Sequence, residues 1–337
     1  MPKLETDLDS IAAATGFSGV VRVDRDAIVE VAKAYGLAHR AYEIPNSVAT
    51  QFAIASGAKG LTALTIVSMI EDGLLELSAP ARSFLGRDLP LIAADVTIEQ
   101  LLSHRSGIGD YLDEEASPDL SEYLMPVPVQ ELATTEQYLA VLEGQPPKFA
   151  AGERFAYSNS GYVVLALIAE RVAGESFYEL VEQRVCRPAG MNSTAFLRSD
   201  ELPASAAVGY VVIDERWRTN VFHLPVRGSG DGGAYSTAAD IADFWRALFA
   251  GQIVSSRWLA EMVRPRSDVR SRSLHYGLGF WLNAANETVV LEGRDAGVSF
   301  HTEHNPDGEL TWTVISNTSD GAWPIARHLI DCFNLRR

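Results

Sequence analysis

An α+β fold is predicted, with an antiparallel sheet built from both ends of the chain, flanked by helices, and a mostly helical segment inserted between. Three patterns predict it. Short β-branched runs lie near the N-terminus at residues 19–23 and 27–36. Helical periodicity dominates from residue 59 to 185, and strand character returns from about residue 206. If both ends share one sheet, the middle becomes an insertion. The expected division is residues 1–75 and 206–337 as a discontinuous sheet domain and residues 76–205 as a helical domain. A cleft between the two is the default place for a site.

Taken in order, residues 1–15 read as a short helix with Leu4, Leu8 and Ile11 on one side. Two alternating strands follow, joined by a polar turn at Asp24-Arg25-Asp26, as expected of a hairpin with one face buried. The helix at 59–72 carries an apolar stripe of Ala63, Leu64, Val67 and Ile70, and Gly73 ends it. A short helix at 97–102 has Asp95 or Thr97 as its cap. An acidic, loop-like stretch covers 110–127, and a helix covers 134–143. A strong helix at 160–173 is stopped by Gly174, and another spans 176–185. Beyond residue 206, one helix at 238–250 follows the glycine-rich run 228–233. Strands are expected at 276–282, 288–291, 298–301 and 310–316, and a closing helix at 322–333.

Hydrophobic residues make up 47% of the 337 positions, enough for a sizeable core, and the net charge of −16 argues against nucleic acid and anionic membranes as partners. No run of about 18 apolar residues exists to span a bilayer. Residues 1–16 lack the apolar core of a signal peptide, so a cytoplasmic protein is expected. The two cysteines, Cys186 and Cys332, make no disulfide framework and read as packing residues.

The stretch Phe52-Ala53-Ile54-Ala55-Ser56-Gly57-Ala58-Lys59 brings an apolar, strand-like approach to a serine, with a lysine three residues on. In a helix starting near Ser56, Lys59 lies one turn up the same face, within reach of the hydroxyl. A nucleophile needs such an adjacent base and gains from the positive end of a helix. The competing reading makes Ser56 an N-cap and Lys59 a solvated residue. Tyr157 and Asn159, in a loop before the strong helix, offer a phenol and an amide beside capping roles.

Taken together, these motifs resemble the serine β-lactamase and penicillin-binding-protein superfamily, and most closely its class C branch of family VIII carboxylesterases, DD-peptidases and D-aminopeptidases. Ser56-x-x-Lys59 resembles the nucleophile element. Residues 98–107 (IEQLLSHRSG) resemble a Leu-Leu-x-His-x-Ser-Gly stretch, Tyr157-Ser158-Asn159 the Tyr-x-Asn motif, and residues 232–237 (GGAYST) a Gly-Gly-x-x-Ser-Thr stretch. The resemblance spans residues 5–335 and implies Ser56, Lys59 and Tyr157 as catalytic residues, with Asn159, Gly293 and Arg294 toward substrate. It implies a β-lactamase/transpeptidase-like fold and no metal or cofactor.

The third motif departs from the family. Anchored on Gly293 and Gly297, residues 291–298 place Leu291 where a lysine or histidine is usual; a shift of one position would place Glu292 there. Receipt of a substrate carboxylate is therefore expected to be weakened. The N–H groups of Ser56 and Arg294 would form an oxyanion hole, Gly293 would let substrate approach closely, and Arg294 would supply the missing charge or stand solvated. His301-Thr302-Glu303-His304 lacks the spacing of a helical zinc motif, and His104 is expected to pack. The resemblance therefore implies a serine hydrolase of small esters or amides, carboxylesterase-like. A D-aminopeptidase, DD-carboxypeptidase or β-lactamase is the alternative, and a non-catalytic binding or scaffold protein on the same fold a further one.

Overall fold

The computed structural model describes residues 2–114, 123–269 and 272–334. One eight-stranded sheet organises it: β1 (Gly19–Arg25), β2 (Ile28–Tyr35), β3 (Ser267–Val269), β4 (Leu274–Tyr276), β5 (Trp281–Asn283), β6 (Val289–Asp295), β7 (Val298–Asn305) and β8 (Leu310–Ser316). Their spatial order is β2-β1-β8-β7-β6-β5-β4-β3, with every neighbouring pair antiparallel. The N-terminal hairpin thus closes onto the last strand, with Gly19 opposite Ser316.

Helices cover both faces. On one side α1 (Pro2–Thr15) and α6 (Ala322–Asn334) bury Leu8, Ala12, Ile325 and Leu329 against Val21, Val23, Trp312 and Val314. On the other, α2 (Ala58–Glu71) and α5 (Ala238–Phe249) share a core with Val20, Phe280, Leu291, Phe300 and Ile315. Strand β1 is therefore buried on both faces, not one as expected, because a helical layer lies on each side of it. Strand β2 is the sheet edge and leaves Ile28 and Val29 exposed.

Local chemistry accounts for most boundaries. In α3 (Ile98–Leu102), Thr97 and Gln100 form a reciprocal capping box. In α4 (Asn159–Ala173), Ser158 accepts from Gly161 N, and Gly174 ends the helix in the left-handed region. Thr237 caps α5 by accepting from Asp240 N.

The structure differs from expectation at identifiable places. β1 runs on through Arg25, and the turn is Asp26-Ala27, both at positive φ, the two-residue turn that matches strand twist. The strand expected over 276–282 is a hairpin: Gly277 N donates to Phe280 O, Gly279 sits at φ +91°, and Tyr276 pairs with Trp281. Its apolar run hid the turn that its two glycines make. The amphipathic helix expected at 59–72 is buried all round, with every residue from Ala58 to Ile70 inside, because sheet and α4 enclose it. A helix at Ser256–Met262 was not foreseen. Of the acidic loop expected over 110–127, residues 115–122 lie outside the described residues.

Candidate active site

Ser56 lies in a single 3₁₀ turn, Ala55–Gly57, that leads into α2. Ala55 just before it holds φ at +44°, a left-handed value uncommon for a residue with a Cβ. Neighbouring backbone fixes the turn. The strand Phe52–Ala53 pairs with Tyr235–Ser236, Ile54 N donates to Ala234 O, and Gly233 N reaches Ala55 O. The glycine-rich run at 228–233 thus braces the nucleophile segment.

Lys59 is 2% exposed, and its Nζ contacts three oxygens: Ser56 Oγ at 3.0 Å, Asn159 Oδ1 at 2.7 Å and the Asp231 carbonyl at 2.6 Å. Burial pushes its pKa down, while Asp231, Glu114, Asp110 and Asp295 oppose this through their negative charge. Tyr157 moves the other way. Burial and the charge of Glu114 raise its phenol well above the ordinary value, with a hydrogen bond to Ser56 opposing. Lys59 Nζ lies 4.8 Å from the Tyr157 ring centroid. Burial thus disfavours both the ammonium of Lys59 and the phenolate of Tyr157.

Asn159 ties the cluster together. Its Nδ2 donates to the Leu112 carbonyl at 2.9 Å and to Glu114 Oε1 at 3.1 Å. The Asp110 carboxylate accepts from Asn159 N and Ser160 N, an anion at the start of α4. Burial raises that carboxyl to about 6. Buried His104 accepts from Ser158 N through Nδ1 and packs among Tyr157, Tyr162 and Tyr276. Burial drives its pKa well down, so it is neutral and supports Tyr157 by packing.

Strand β6 forms the opposite wall. β5 pairs only with Val289 and Val290, so its edge beyond them is open beside Ser56. A Cβ on Gly293 would stand 2.4 Å from Ile54 O and 2.7 Å from Ser56 N. The space a side chain would need at Gly293 is therefore taken by the nucleophile turn itself. Leu291 is buried and packs against Gly60 of α2. Glu292 leaves the other face, pairs with Arg272 at 2.5 Å and faces His301. Burial would raise its carboxyl, but His301 and Arg272 hold it down to about 2. Arg294 Nε binds Asp320 at 3.0 Å, so the charge expected to substitute for the missing lysine is already engaged.

Ser56, Lys59, Tyr157 and Asn159 thus converge, with Gly293 against the serine and Arg294 on the rim. Sequence reasoning missed Glu114, Asp231, Asp295 and Trp281. Asp231 lay inside the glycine-rich run at 228–233 and Glu114 inside the acidic stretch at 110–127, and those were the available signals. Trp281 stacks on Tyr157 at 6.1 Å and 9°. Ser56 ends a cleft lined by Tyr111, Leu112, Glu114, Tyr138, Leu224 and Asp295 among others.

The family described as Beta-lactamase matches residues 5–332. The chain belongs to the beta-lactamase family. The penicillin-binding protein of Bacillus halodurans superposes with a TM-score of 0.91 at 33% identity, covering 97% of this chain and 100% of that one. Esterase EstB of Burkholderia gladioli is 31% identical over 309 residues, 83% of this chain and 76% of its own. The putative penicillin-binding protein PbpX of Bacillus subtilis is 28% identical over 311 residues, 91% of this chain and 72% of its own. Beta-lactamase family members with this fold thus include proteins named as esterases as well as penicillin-binding proteins. No helix among the described residues is long and apolar enough to cross a membrane.

Proposed function

We propose that the protein is a serine hydrolase that cleaves small esters through an acyl-enzyme on Ser56. The observation that carries this is the buried Lys59 amine, 3.0 Å from Ser56 Oγ and depressed in pKa by burial. In the proposed reaction Ser56 Oγ attacks the ester carbonyl carbon, and Lys59 takes the hydroxyl proton. The N–H groups of Ser56 and Arg294 receive the oxyanion. The tetrahedral adduct collapses, breaking the bond to the leaving oxygen. The Tyr157 phenol gives that oxygen its proton and is reprotonated from Lys59. Water then attacks the acyl carbon by the reverse route and frees Ser56. Asn159 holds the lysine in register.

Ester over carboxylate-terminated peptide or β-lactam is favoured by Leu291, which buries a methyl-bearing side chain where the resemblance leads one to expect a lysine or histidine. An amide is a second substrate class on the same machinery, with the protonated Tyr157 phenol beside Ser56 as the donor to the leaving amine. Turnover of a short-chain aryl ester by wild type and Ser56→Ala tests the proposal. Loss of activity in the variant, with a fluorophosphonate adduct on Ser56 in wild type, is expected. Equal rates refute it, and an unlabelled Ser56 in folded protein would favour the non-catalytic alternative.

A further inference from the structure

Two spaces meet at Ser56. One is the cleft toward Leu112, Asn159 and Leu224. The other is a groove that runs from Ser56 past β5, β6 and β7 to α6. Asn159 lines the cleft, whereas Tyr157 lines the groove. Beside Tyr157 the groove wall is a small apolar cluster set apart from the two main cores. Tyr276, Trp281 and Val290 are its buried members, and Phe155, Tyr157, Val269 and Leu274 stand half-buried around them. All four of those half-buried side chains line the groove. The rings are ordered. Trp281 stacks on Tyr157, and Phe155 meets Trp281 edge-on with centroids 5.9 Å apart. The Arg272 guanidinium lies 4.7 Å from the Trp281 centroid, and its charge is answered by Glu292. Farther along, His301 and Glu303 pair with each other. The stretch of groove beside Tyr157 thus presents mainly rings and methyl groups.

A half-covered apolar wall gains free energy from an apolar group that shields it from water, and an aromatic wall gains more from a ring. The role of Tyr157 says which part of a substrate that is. In the hydrolase reading above, on which this inference rests, Ser56 Oγ bonds to the acyl carbon, the bond from that carbon to the alcohol oxygen breaks, and Tyr157 gives that oxygen the proton it regains from Lys59. The oxygen that Tyr157 serves lies on the groove side of Ser56, so the departing alcohol occupies the groove and the acyl group the cleft. We propose that the groove selects esters whose alcohol carries an aromatic ring, with Phe155 and Trp281 as the residues that recognise it. The Tyr157 hydroxyl reaches the oxygen while its ring belongs to the wall, so the substrate ring belongs close to that oxygen, as in a benzyl ester.

The test measures kcat/KM for benzyl acetate, cyclohexylmethyl acetate and methyl phenylacetate. The first two differ only in the aromaticity of the alcohol's ring, and the third carries its ring on the acyl side. Wild type should favour benzyl over cyclohexylmethyl acetate by about 3- to 10-fold, the scale of an aromatic pair. Phe155→Leu and Trp281→Leu keep an apolar side chain and remove a ring. In each the ratio of the two acetates should fall toward one, with methyl phenylacetate slowed no more than cyclohexylmethyl acetate. Leu224→Ala, in the cleft, should slow methyl phenylacetate and leave the ratio of the acetates in place. A wild-type ratio near one overturns the proposal. So does a ratio that survives both ring removals, or one that Leu224→Ala abolishes, which would put the alcohol in the cleft. If none of the esters shows Ser56-dependent turnover, the hydrolase reading itself fails. Circular dichroism on each variant separates a lost ring from a lost fold.

Discussion

Asn159→Asp is the sharpest test of how the lysine is kept reactive. In the native protein the Asn159 amide oxygen accepts from Lys59 at 2.7 Å and brings no charge. An aspartate would place a carboxylate at that distance, in a site where Lys59 is 2% exposed. An opposite charge so close favours the ammonium and raises the amine's pKa by about 1–3 units. That is about 1.4–4 kcal/mol of differential stabilisation. In the proposed reaction the catalytic form is the free amine, so the acid limb of kcat/KM against pH must move to higher pH by the same interval. On that limb the rate at fixed pH falls about 10- to 1000-fold. Asn159→Leu removes the acceptor without adding charge. Its limb should not move up, although its rate falls because Lys59 is no longer held. The assay is aryl-ester hydrolysis across pH for the three proteins, with circular dichroism to confirm folding. A limb that stays put or moves down in the aspartate variant refutes the reasoning, whatever its absolute rate.

Three further outcomes follow from the walls of the site. Gly293→Ala drives a methyl toward Ile54 O and Ser56 N, so kcat should fall by about 100-fold or more as the oxyanion donors shift, and a wild-type rate would refute this. Leu291→Lys exchanges a buried apolar contact with α2 for an unpaired ammonium, so urea titration should show a loss of about 3–5 kcal/mol. A stable variant that gains turnover of carboxylate-bearing substrates would contradict the packing argument. His301 supplies a pH signature. Burial would lower its pKa, but hydrogen bonds to Glu292 and Glu303 raise it to about 9. That is above the value near 6.5 of an unfolded chain, so its stabilisation is fully present below about 6.5 and is lost as pH rises through about 9. Urea midpoints should fall across that window in wild type and less so in His301→Gln; parallel curves would refute the assignment.

Features legible in the sequence were those set by local chemistry. Thr97 and Gly174 mark helix ends because a cap is a contact between near neighbours. The strand at Leu310–Ser316 was legible from a run rich in β-branched and aromatic residues, even though its pairing with β1 is distant. What could not be read depended on what covers an element. The stripe on α2 predicted one apolar face, yet the helix is enclosed, and Lys59 owes its depressed pKa to that enclosure. The spacing of Ser56 and Lys59 placed the pair on one face, but neither Asp231's carbonyl nor Glu114 follows from spacing. Gly293 was legible as a place of close approach, expected to be that of substrate. Its occupant, the Ser56 turn, became visible only in three dimensions.

The closure of the first hairpin onto the last strand has a consequence for biosynthesis. Arg25 pairs with Leu310, so the two lie 285 positions apart in the chain. At about 5–20 residues per second, a ribosome takes roughly 15–60 s to cover that interval. Throughout it β1 has β2 but lacks its second partner, β8, and Ser56, Lys59 and Asn159 emerge long before β6 arrives to wall the nucleophile. The helices between are built of local contacts and are free to form early, whereas the sheet must wait. Reactivity at Ser56 therefore arises as one of the last events of synthesis. A ribosome-stalled chain ending before β6 should be helical yet inert toward a serine-directed probe.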